Sequence, residues 1–194
     1  MTIATLWPAT LFVIPAVAAT ILRHREPAAR FLLAWAGASW LMFEIVPTKL
    51  PHYIMPAYPA LAIMAAAFVL APREDGLPQW RRALPIVSSV QFLIGAALLA
   101  AAIVLVPKLY GPGISWDLIA SASAISLPAI SAALFMLRGD KATAAGLVTL
   151  TALVTYPLLT LDAGRKIDRI WVSPHETAMV RTHMRPGDPP AVLA

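Results

Sequence analysis

Four side chains able to do chemistry fall close together in this chain: Glu44, Lys49, His52 and Tyr53. Lys49 is a cation at the mouth of an apolar run, and an ionisable group at membrane depth is a functional candidate. As a point charge with three donors it suits a phosphate. Glu44, five residues before it, would then orient Lys49 or a substrate hydroxyl. His52 would donate to a phosphate oxygen or carry a proton near neutral pH. A plainer reading stands beside each role. Lys49 then snorkels to the water interface, Glu44 and His52 are interfacial polar residues, and Tyr53 and Tyr58 belong to the aromatic belt. Pro47, Pro51, Pro56 and Pro59 punctuate the same stretch. Proline removes a backbone donor and unwinds or kinks a helix, so the third apolar run is expected to begin irregularly, with free carbonyls at a widened mouth. Such backbone is tolerated at membrane depth where protein buries it or a cavity is lined.

Other chemistries lack their residues. There is no cysteine, which excludes thiol catalysis, Cys-ligated zinc and disulfides within the chain. No Gly-rich phosphate loop, HExxH or nucleophile elbow is present, and Gly111-Pro112-Gly113 reads as a turn. The four histidines are dispersed. His24, His175 and His183 read as surface residues, and no metal site or cofactor is expected.

The elements that must position these groups are apolar. The chain has 194 residues, 59% hydrophobic and 13% charged, with a mean hydropathy of +0.74. Soluble domains carry about twice that share of charge. Six apolar segments stand out, at about 3–22, 31–46, 53–71, 83–106, 117–137 and 142–161. A helix needs about 20 residues to cross the hydrocarbon core. The expected fold is therefore an all-α integral membrane protein of about six transmembrane helices over 1–162, followed by a compositionally different tail over 163–194. The second segment is short and the third proline-rich, which makes these two the weakest spans.

Charge alternates between the connections. Arg23, Arg25 and Arg30, then Arg73, Arg81 and Arg82, then Arg138 and Lys141 fall in one set; Lys49 and Lys108 alone fall in the other. The basic set belongs on the cytoplasmic side. That places the 47–59 stretch and both termini on the outer side, although five Lys/Arg in the tail weigh against its export. The basic residues form no patch with interleaved aromatics, so nucleic acid is not an expected partner. Membrane lipids are. The first segment lacks a preceding Lys or Arg, unlike a signal peptide. In the tail, Ser173-Pro174-His175-Glu176 reads as a helix start. Arg185-Pro186-Gly187-Asp188 ends that helix, and Ala191–Ala194 begins a strand. An outward soluble segment is expected to start at about 165.

The run Phe43–Ala62, with Pro47-Thr48-Lys49-Leu50-Pro51-His52-Tyr53 at its centre, resembles the TKLPHYxLPxYPALA signature of aminoarabinose-transferase-like glycosyltransferases. These belong to the protein O-mannosyltransferase superfamily. Arg30–Trp35, Ser39-Trp40 and Trp171-Val172-Ser173-Pro174 are similar to that family more weakly. The likeness covers about 30–72. It implies a GT-C-like enzyme of the bacterial inner membrane, which takes a polyprenyl-phosphate-linked sugar as donor and delivers it at the outer face to a lipid or protein acceptor, lipid A modification included. It implies lipid-phosphate contact for Lys49 and His52, with Tyr53 behind them. The family's catalytic carboxylate lies in an outward loop near its N-terminus, and no position here matches it. The chain then reads as a C-terminal membrane portion, truncated at both ends, that needs a segment bearing the acidic loop and is inactive alone. The alternative is a non-enzymatic six-span protein, an accessory subunit, lipid-binding protein or transporter.

Overall fold

The computed structural model describes residues 6–45, 55–72, 79–110 and 113–163. Among them every regular element is helical: α1 (Thr10–Leu22), α2 (Pro27–Ile45), α3 (Tyr58–Leu70), α4 (Gln79–Tyr110), α5 (Trp116–Arg138) and α6 (Lys141–Pro157). A π-helical segment, Leu158–Ala163, continues α6. The six apolar segments of the sequence correspond to these helices, with shifted ends. Three are long and apolar enough to cross a membrane: Ala83–Leu109, Trp116–Arg138 and Lys141–Thr160. The three helices of the first half of the chain are not among these. α1 and α3 have 13 residues each, about 20 Å of helix against about 30 Å of hydrocarbon. α2 is longer, with 19 residues, but carries Arg30 and Glu44 near its ends. The expected tail lies outside the described residues. Lys108 stands in the last turn of α4 and not in a loop.

α4, α5 and α6 pack in sequence, each against the next, while α1 lies between α3 and α4. α2 touches α3 and α1 at the edge, and Ala29 is its one buried apolar residue. Small side chains line the α5 contact face: Ser121, Ala129, Ala132 and Ala133. Small residues let helix backbones approach where no hydrophobic force separates protein from lipid. The buried hydroxyls of α6 are satisfied along its own helix. Thr151 donates to the Leu147 carbonyl at 2.7 Å, and Thr155 to that of Thr151 at 2.6 Å. Pro157 withdraws the donor that the Leu153 carbonyl would use, and from Leu158 the chain continues with π geometry.

The turn between α5 and α6 is tightly specified. Gly139 adopts φ 83°, a left-handed conformation that glycine enters without a Cβ penalty. Its N–H donates to Met136 and that of Asp140 to Phe135, both at 3.0 Å, which closes a Schellman motif. Asp140 then caps α6, accepting from the Thr143 N–H at 3.0 Å and the Thr143 hydroxyl at 2.7 Å. Those two bonds favour the ionised carboxyl and hold its pKa below 3.8. A depressed carboxylate stabilises the fold above its unfolded pKa and loses that contribution as pH falls through the folded value. Asp140→Ala should therefore lower the thermal midpoint at pH 7. The gap to wild type should start to close below pH 3.8, which a midpoint-against-pH series measures.

Trp7 locks the start of α1. Its indole stacks on Phe92 with ring centroids 5.8 Å apart and donates to the Phe92 carbonyl at 3.1 Å. Its own carbonyl accepts from the Tyr156 hydroxyl at 3.1 Å. Gly95 makes room, since a Cβ there would lie 2.6 Å from Trp7 Cδ1. Gly95→Ala should cost about 1–3 kcal/mol by overpacking, read as a lowered unfolding midpoint. Gly146→Ala, with open space around it, is the control.

Candidate functional site

The residues that hold the candidate site can be followed from both flanks. α2 forms because Arg30–Ile45 is predominantly apolar and holds no proline, and Glu44 lies in its last turn. On the other flank Met55–Ala57 makes a single 3₁₀ turn and α3 starts at Tyr58 with Pro59 in its first turn. Proline there has no intrahelical donor to lose. The prolines thus act as their chemistry requires, delaying the helix. Lys49, His52 and Tyr53 lie in 46–54, outside the described residues, and only the backbone of Glu44 is described. The structure therefore brings the two ends of the stretch into view but not the four side chains together.

Those ends sit at a step in the bundle. Ala57 and Leu61 are buried in a small cluster with Val13, and Leu6, Val17, Ala36 and Tyr58 pack around it. Ala36 marks the level at which α3 begins. From there α2 continues nine residues to Ile45, about 13 Å at the helical rise. Trp7 gives a second reference, since it meets α4 at Phe92 and Gly95. α4 runs on from Gly95 to Tyr110, about 22 Å further. α2 and α4 thus each run on for several turns past the contacts that hold the starts of α3 and α1.

The opposite end of α3 is held by a residue that sequence reading treated only as a loop charge. Lys141 Nζ donates to the Phe68 carbonyl at 2.8 Å and to that of Ala71, and lies 4.8 Å from the centroid of the Phe68 ring. The signal for it was legible: a lysine in the first turn of its own helix opposes that helix's dipole, so its partner is elsewhere. Among the described residues no group of His, Asp and Glu side chains is placed to hold a metal ion. Three buried polar atoms, Thr10 Oγ1, Ser89 Oγ and Gln91 Oε1, have no hydrogen-bond partner. Thr10 lies on α1 and Ser89 and Gln91 on α4, two helices that pack against each other.

No protein-family model matches the chain, and no solved structure matches it significantly. A similar stretch occurs in an uncharacterized protein of Aquifex aeolicus (strain VF5), 46% identical over 48 residues. That is 25% of this chain and 10% of the longer protein.

Proposed function

We propose that this chain is the membrane-embedded, lipid-phosphate-binding portion of a glycosyltransferase that uses a polyprenyl-phosphate-linked sugar. The observation that carries the reading is the run Pro47–Pro59, which joins a cation, an imidazole and a phenol to a proline-delayed helix. Its similarity to the aminoarabinose-transferase-like signature supplies the ligand class. In this reading the chain sits in a bacterial inner membrane as a GT-C-like helical bundle, with the Lys49 stretch and the C-terminal tail facing outward. The alternation of basic residues supports that orientation. The helix lengths are consistent with it: α1 and α3 are short where a headgroup would enter, and α4, α5 and α6 are long.

Each residue has a distinct task. Lys49 holds the phosphate as a mobile point charge. His52 donates a second hydrogen bond, and Tyr53 lines the mouth. Glu44 orients Lys49. Together they neutralise charge that develops on the departing lipid phosphate, a preorganised electrostatic contribution. The proton chemistry at the acceptor falls to a carboxylate supplied by another segment, so this chain by itself is expected to bind donor lipid without transferring sugar.

Native mass spectrometry of the chain in nanodiscs tests the reading. A polyprenyl phosphate should be retained and the matching polyprenol, without phosphate, should not. Equal retention of both would reduce the site to an apolar lipid groove and favour the non-enzymatic alternative.

A further inference from the structure

Lys141 is placed against local preference. It occupies the first position of α6, where a cation meets the positive end of the helix dipole. Its ammonium serves α3 instead. The last carbonyls of a helix have no intrahelical donor, and Phe68 and Ala71 stand at that end of α3. Lys141 supplies donors to both and stacks its charge over the Phe68 ring. A cation at a helix C-terminus is favourable, and charge-assisted bonds are the stronger kind. The backbone beneath Lys141 is stiff, because the Schellman turn at Gly139 and the Asp140 cap fix it between two long helices.

α3 needs such a tie. At 13 residues it is shorter than the hydrocarbon core, so matching its apolar length to the bilayer does not set its height. We infer that Lys141 is a positioning residue, pinning α3 from the far end of the bundle and so setting the depth of the Met55–Tyr58 end, where the Lys49 stretch is attached. Without it, the Phe68 and Ala71 carbonyls recover hydrogen bonds by moving toward water at the Lys141 end. α3 then slips that way and draws Met55 deeper. The effect on phosphate binding rests on the reading of 47–59 as a site. The depth of Met55 does not.

The absence of cysteine makes depth measurable. Met55→Cys and Leu109→Cys are introduced singly; both positions are open, at 59% and 65% exposure. Each is labelled with a water-soluble maleimide in phosphatidylcholine–phosphatidylglycerol nanodiscs, where both faces meet the reagent and orientation plays no part. Lys141→Met should slow labelling at position 55 about tenfold or more, the ratio matching the loss of a hydrogen bond from a charged donor, and leave position 109 unchanged. Lys141→Arg should restore the rate at 55, because the charge and donors return. An unchanged rate at 55 in Lys141→Met overturns the inference, as does an equal change at both positions. If Lys141→Met does not accumulate, Lys141→Gln replaces it, with an intermediate slowing expected at 55 and an unchanged rate there again overturning the inference. Sugar transfer enters none of these readouts, so the proposed function can fail while the pin stands.

Discussion

Replacing Lys49 by alanine is expected to weaken retention of a polyprenyl phosphate about 10- to 100-fold, since a hydrogen bond to a charged group is worth about 1.5–3 kcal/mol. The neutral polyprenol should be unaffected. Lys49→Arg should keep most of the affinity, because a phosphate accepts either cation, though the planar fork changes the geometry. Affinity for the phosphate should also fall with salt, as exposed charge pairs are screened. Glu44→Gln should have a smaller effect, because in the proposed site Glu44 acts through Lys49. In a complete transferase containing this segment, Lys49→Ala should lower transfer in proportion to the lost transition-state contact. Wild-type binding by Lys49→Ala would return Lys49 to the role of an interfacial lysine.

The second large effect concerns the core. Phe92 is fully buried and Phe31 is 63% exposed. Both are phenylalanines on apolar helices, and hydropathy does not separate them. Phe92→Ala leaves a cavity and removes the stack against Trp7. In water such a change costs about 3–5 kcal/mol. In a bilayer the transfer part shrinks, because the separated helices would meet lipid as apolar as the core. The cavity and the aromatic contact remain, the latter worth about 0.5–1.5 kcal/mol. We therefore expect a loss of about 2–4 kcal/mol for Phe92→Ala, and no more than about 1 kcal/mol for Phe31→Ala, whose ring meets Trp35 edge-on at 5.7 Å. Unfolding of each variant in detergent or bicelles checks the difference. Equal losses would mean that the face of α4 bearing Phe92 is not the internal one.

Both results bear on how much could be read in advance. The helical class and the six apolar segments followed from composition and spacing, since an apolar run must satisfy its backbone internally and does so as helix. The delayed start of α3 followed from Pro56 and Pro59. Segment length did not reveal which helices are short. Leu6 through Pro8 are apolar and extend the first hydropathic run, yet α1 begins at Thr10, with Trp7 held by contacts to Phe92 and Tyr156 before the helix starts. Likewise Lys108 follows Pro107, a usual helix breaker, but α4 carries both to Tyr110, and Pro107 is buried within the bundle.

Residue type and spacing thus account for the apolar helices, a proline-delayed α3 and a cluster of ionisable groups between 44 and 53. These depend on residue type and near neighbours alone. The tertiary structure decided which partner each group meets across the chain. Lys141 and Phe68 are 73 residues apart, and Tyr156 and Trp7 are 149 apart. A side chain that opposes its own helix can signal that its partner lies elsewhere. Only the packing of α3 beside α6 says that the partner is the far end of the helix leading to Lys49.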